Sequence, residues 1–175
     1  IPFLWIFGSN SRDVFKRDLA EEHAIRDIWR YLHKLTPHTP IEVVMNVIEE
    51  CERLIRKEDV KKEDVLEFIY RNPFILVLDC EYIEKKPQLG PDVIPDFFVL
   101  TSTDKFLVVE LESPRKKLFT KGKGLPESKD LKDARSQLER YLSFVKNNIL
   151  YLQQRYPGIK AEKVYGLLVI GLKSR

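Results

Sequence analysis

Through the first 70 positions the apolar residues recur mostly at three- and four-residue steps, and the period then shortens toward two. Residues 1–7 form a short apolar run that reads as a buried strand, ended by Gly8, Ser9 and Asn10. Over 11–35, Val14, Phe15, Leu19, Ile25, Ile28, Trp29 and Leu32 predict an amphipathic helix with room for one break. Pro37 and Pro40 interrupt the chain, and Pro40 suits the first turn of a second helix. The stripe of that helix is Ile41, Val44, Ile48, Cys51 and Ile55. A third, shorter helix over Lys62–Arg71 stops before Pro73, whose ring restricts the residue ahead of it.

Beyond Pro73 the pattern becomes strand-like. Residues 74–78 are a β-branched and aromatic run, which 81–83 extend around a bend. A loop with three prolines and a glycine follows over 85–95. Segments 96–101 and 105–111 flank the polar turn Ser102-Thr103-Asp104 and predict a β-hairpin. Segment 113–129 is polar, lysine-rich and aperiodic, as expected of a mobile loop. Helical spacing returns over 130–156 through Leu131, Ala134, Leu138, Tyr141, Leu142, Val145 and Ile149, and Pro157-Gly158 ends it. The last strand, 164–172, is apolar enough to be central. A hairpin joined through a helix to a further strand makes a mixed sheet, so the fold class is α/β with helices available to both faces. The division expected is an N-terminal strand and helical extension over 1–61 and a core over 62–175. The core reads as incomplete at its C-terminal end, because the chain stops just after a strand-like run and begins with Ile1.

Composition narrows the function classes more than it selects one. With 175 residues and 43% hydrophobic content the chain can bury one substantial core. The net charge of +3 and a pI near 8.8 permit nucleic-acid contact without arguing for it. Cys51 and Cys80 lie far apart and outside any CxxC pair, which points to a reducing cytoplasm rather than a disulfide framework or zinc. His23, His33 and His38 have no metal-ligand spacing and read as structural. No apolar stretch is long enough to predict a membrane span. No GxxxxGK[ST] loop predicts a nucleotide cofactor, and no serine has a nucleophile-elbow context.

The chemistry-bearing segment is Ile94-Pro95-Asp96-Phe97-Phe98-Val99-Leu100, followed by Phe106-Leu107-Val108-Val109-Glu110-Leu111-Glu112-Ser113-Pro114. Alternate strand residues share a face, so Glu110 and Glu112 point the same way. A short turn brings Asp96, at the start of the partner strand, beside them. On an isolated hairpin such glutamates are ordinarily solvated, but here strand residues of both parities are apolar, as in an interior strand. Three carboxylates at the end of an apolar hairpin are costly unless a cation neutralises them. Mg²⁺ or Mn²⁺ suits oxygen ligands of this kind, and such a centre suits phosphodiester hydrolysis.

Pro95-Asp96, Glu110-Leu111-Glu112 after the hairpin and Gln137-Leu138-Glu139-Arg140-Tyr141 on the next helix resemble the PD-(D/E)XK nuclease pattern with a QxxxY motif. More narrowly, Phe68-Ile69-Tyr70-Arg71-Asn72-Pro73, Val109–Pro114 and Leu168-Val169-Ile170-Gly171 are similar to the Shedu family of prokaryotic anti-phage defence nucleases, over roughly 62–172. The resemblance implies a restriction-endonuclease-like mixed sheet and a metal-dependent DNA endonuclease. Asp96 and Glu110 would be metal ligands, with Glu112 as a third. Gln137 and Tyr141, one helical turn apart, would position DNA backbone or the attacking water. The chain departs from the pattern at Glu112, where the superfamily usually carries lysine; a third carboxylate would favour a second metal and move water activation from lysine to metal, or Lys116 or Lys117 could swing in instead. That departure leaves a second reading, a catalytically degenerate nuclease fold that binds or senses DNA, and a third, a structural assembly domain.

Beside the site, Lys116, Lys117, Lys121 and Lys123 form a basic loop suited to phosphate contact. Glu63 and Glu67 on the helix before the core, and Glu81 at the bend, are further acidic candidates. Nucleases of this kind often cut two strands with two active sites, which predicts a homo-oligomer.

Overall fold

The computed structural model describes residues 41–120 and 126–170. The elements expected over 1–7 and 11–35, the three histidines, Lys121 and Lys123 lie outside these described residues. Two helices lead in, α1 (Ile41–Arg56) and α2 (Lys62–Arg71). Strands β1 (Cys80–Lys85), β2 (Phe97–Thr101) and β3 (Phe106–Leu111) follow, then α3 (Lys129–Asn147), the short α4 (Ile149–Leu152) and β4 (Val164–Val169). The sheet order is β1-β2-β3-β4, antiparallel except for the parallel β3–β4 pair.

Both faces of this sheet are covered, which is why β2 and β3 are apolar at residues of either parity. On one face α3 lays Leu131, Ala134, Leu138, Leu142 and Val145 over Phe98, Phe106, Val108 and Leu168. On the other, Val65, Leu66 and Ile69 of α2 and Ile55 of α1 pack against Phe97, Val99, Val109, Leu111 and Leu167. The helix stripe expected on α1 therefore reaches the core mainly at its C-terminal end, where Ile55 is buried and Cys51 half-buried. Gly166 lets α3 approach β4 closely, since a Cβ there would stand 2.7 Å from Leu142 Cδ1.

Four expectations are corrected. Residues 74–78 are not a strand: Pro73–Ile75 is a 3₁₀ turn, and the first core strand is β1. Pro73 fits a first helical turn, and its carbonyl accepts from both Leu76 N and Val77 N at 3.0 Å. The expected single helix over 130–156 is instead two. Asn148 leaves helical geometry, its amide nitrogen donating to Phe144 O at 3.0 Å and its side chain to the same carbonyl at 2.8 Å. The described parts of the 113–129 loop are tied rather than loose. Thr120 N donates to Pro126 O and Ser128 N to Leu118 O, while Arg115 donates to the carbonyls of Arg56 and Lys57. Ser128 then caps α3 by accepting from Leu131 N at 3.0 Å. Finally, β4 lies at the edge of the sheet among the described residues, not at its centre. Its apolar residues serve the layers on both faces of the sheet.

Candidate functional site

The hairpin register pairs Phe97 with Val109, so Asp96, one residue earlier, arrives beside Glu110 at the end of β3. Both carboxylates are buried, at 5% and 3% exposure. Asp96 Oδ2 accepts from Leu111 N at 2.8 Å, which locks it against β3. Glu110 Oε1 accepts from Gln137 Nε2 at 2.9 Å, and the same amide donates to Tyr141 Oη at 3.2 Å. The i,i+4 pair on α3 thus faces the acidic end of the hairpin, as the sequence spacing suggested.

The cation between the two carboxylates comes from α2. Lys62 Nζ lies 2.7 Å from Asp96 Oδ2 and 3.4 Å from Glu110 Oε1. Burial opposes the Lys62 charge, but the Asp96 hydrogen bond and the surrounding acidic charges outweigh it and raise its pKa. Glu110 behaves oppositely. Burial, then the charge of Asp96, pushes its carboxyl up to about 8 against the pull of Lys62. Burial and then the Glu110 charge also push the Tyr141 hydroxyl upward.

Glu112, the expected third ligand, is engaged elsewhere. Its Oε2 pairs with Lys116 Nζ at 2.9 Å, and Lys116 also approaches Asp130 at 3.7 Å. Among the described residues, no three histidine, cysteine, aspartate or glutamate side chains are grouped as a metal cage. The acidic centre is therefore a pair, Asp96 and Glu110, with Glu112 alongside; Glu112 is near enough to add to the charge felt by Glu110. A pair still fits Mg²⁺, which keeps several waters and commonly takes only one or two carboxylates with the substrate phosphate. The observation that favours a ligand is Glu110 Oε2, a buried oxygen with no hydrogen-bond partner among protein groups.

The other candidates separate clearly. Glu63 and Glu67 turn from the acidic pair toward β1 and its end: Glu63 bonds Lys86 at 2.7 Å, and Glu67 bonds Lys85 at 2.6 Å and Arg71 at 3.0 Å. Glu81 is exposed on β1. Lys117 is exposed and Lys116 half-buried, both on the loop that leaves the site. Sequence reasoning missed Lys62, noting it only as the start of a helix. No local signal identifies it, because its partners lie 34 and 48 positions away (96 − 62 and 110 − 62).

One family profile, described as "Shedu protein SduA, C-terminal", matches residues 59–175, which contain all of these groups. Searches of curated proteins and of solved structures gave no match. Among the described residues no helix is long and apolar enough to cross a membrane.

Proposed function

The chain belongs to the Shedu SduA family through its C-terminal domain, and from that premise we propose that it is a metal-dependent DNA endonuclease module acting in anti-phage defence. The observation that carries the reading is the buried Asp96–Glu110 pair, with an unpartnered Glu110 oxygen and the Gln137–Tyr141 pair beside it. A solvated structural role does not explain two adjacent carboxylates withdrawn from water at a strand end. The antiparallel hairpin, the parallel β3–β4 crossover and helices on both faces also suit a restriction-endonuclease-like core.

Asp96 and Glu110 would hold Mg²⁺ or Mn²⁺, which when bound polarises the phosphoryl oxygen and makes a neighbouring water more acidic. Gln137 orients the Glu110 carboxylate and, with the Tyr141 hydroxyl, presents polar atoms along the same wall for water or a phosphate oxygen. Lys117, exposed on the loop, would supply positive charge for the DNA backbone, with Lys116 able to join it on leaving Glu112. Ala134, Leu138 and Leu142 anchor α3 on the sheet and so hold Gln137 at its distance from Glu110.

A plasmid-nicking assay in Mg²⁺ and Mn²⁺ tests this. Wild type is expected to nick, and Asp96→Asn and Glu110→Gln to lose at least about 100-fold, the scale of removing a group that stabilises transition-state charge. Linear product forming as fast as nicked circles would indicate two sites acting together. DNA retardation in EDTA without cleavage in either metal would instead favour a binding module.

A further inference from the structure

Lys62 is the first residue of α2, where a positive charge opposes the helix dipole and is ordinarily disfavoured. What holds it there is tertiary. Val65, Leu66 and Ile69 bury α2 against the sheet. Lys61 N donates to Asp64 Oδ2 at 3.1 Å, fixing the first turn. The Glu67–Lys85 and Glu63–Lys86 pairs tie the helix to β1 and the residue after it. A helix fastened at these points delivers one ammonium group between two buried carboxylates. That is the place a divalent ion would need.

We propose that Lys62 is a tethered counter-ion, holding Asp96 and Glu110 together without metal and giving way when a divalent cation binds there. The inference rests on the metal reading of that pair. Lys62 sits on Asp96 Oδ2 and Glu110 Oε1, so a divalent ion bridging the same two carboxylates, even through the unpartnered Glu110 Oε2, would lie close enough to the ammonium for like charges to repel strongly. The Lys62 side chain is already 35% exposed, so its four-carbon stem is free to move outward into solvent. Displaced, its ammonium would remain tethered to α2 near the two carboxylates, available to a phosphate brought there. A lysine at position 112 would otherwise supply that charge, and Glu112 stands there. Lys116 is less suited to this task, because its own ammonium is held by Glu112 and Asp130.

The test compares wild type, Lys62→Met and, as a control at the other end of the sheet, Lys163→Met, whose lysine pairs with Asp104. Mn²⁺ affinity is read by electron paramagnetic resonance, alongside thermal melting in EDTA and in Mn²⁺, and plasmid nicking. Lys62→Met is expected to bind Mn²⁺ about tenfold more tightly, equivalent to about 1.4 kcal/mol of relieved competition. It should melt lower than wild type in EDTA, recover more on adding Mn²⁺, and nick about 100-fold more slowly at saturating metal. The control should match wild type throughout.

Unchanged or weaker Mn²⁺ binding by Lys62→Met overturns the exchange, and if wild type still nicks, the nuclease reading survives. Tighter Mn²⁺ binding with no nicking by any protein keeps the exchange and removes the nuclease. No Mn²⁺ binding by either protein removes both. Should Lys62→Met fail to fold, acetylation of wild type read by mass spectrometry decides. Lys62 should be protected in EDTA and become reactive in Mn²⁺ with Lys163 unchanged; equal reactivity in both buffers overturns the exchange.

Discussion

At the residue scale, burial and the neighbouring Asp96 push the Glu110 carboxyl up to about 8 from an ordinary value of 4.5. Between those values the folded chain keeps a proton that the unfolded chain has lost. The contribution of this carboxyl to stability without metal should therefore be fully present below about 4.5, fall as pH rises through the window, and be gone above about 8. Thermal melts in EDTA across this range should show the decline in wild type and a flatter profile in Glu110→Gln. Parallel profiles for the two proteins would refute it. In excess Mn²⁺ the wild-type decline should shrink, because a bound cation favours the ionised carboxylate.

At the element scale, the contact between α3 and β4 depends on a missing side chain. A Cβ at Gly166 would lie 2.7 Å from Leu142 Cδ1 and 3.2 Å from Leu138 Cγ. Gly166→Val should cost about 1–3 kcal/mol as an overpacked core position, read from denaturant unfolding. It should also slow nicking by shifting the helix that carries Gln137. A variant as stable as wild type would mean that α3 has slack the packing does not suggest. On the opposite face, Glu63 serves the link between α2 and Lys86 at the end of β1 rather than the acidic pair. Glu63→Ala should leave nicking near wild type, and a loss matching Glu110→Gln would make Glu63 a working acid after all.

At the scale of the whole molecule, the sheet needs cover on both sides, and α1 contributes part of one side through Ile55. The family match begins at residue 59, beyond α1. A chain starting there would expose the surface that Ile55 covers, with Cys51 and Leu54 packed around it. It should fold but lose about 2 kcal/mol, the worth of one buried aliphatic side chain, seen as a lower melting temperature than a chain starting at 41. Equal melting temperatures would show α1 to be a passenger on the core.

The pieces readable in the sequence are those decided by local repeat and short separation. A period of two and a three-residue turn put Asp96 beside Glu110. A separation of four on a helix put Gln137 and Tyr141 on one face, and apolar residues of both parities marked β2 and β3 as covered on both sides. The 3₁₀ turn at Pro73 escaped because a short apolar run fits strand and turn alike, and only the carbonyl of Pro73 settles which. The edge position of β4 among the described residues escaped because two helical layers bury a strand as thoroughly as neighbouring strands do. Tertiary structure alone decided which charges meet. Lys62 reaches across to the acidic pair, and Glu63 and Glu67 turn to lysines at the end of β1. Those partners follow from how each helix seats on the sheet, and the periodicity of any single segment carries no information about that.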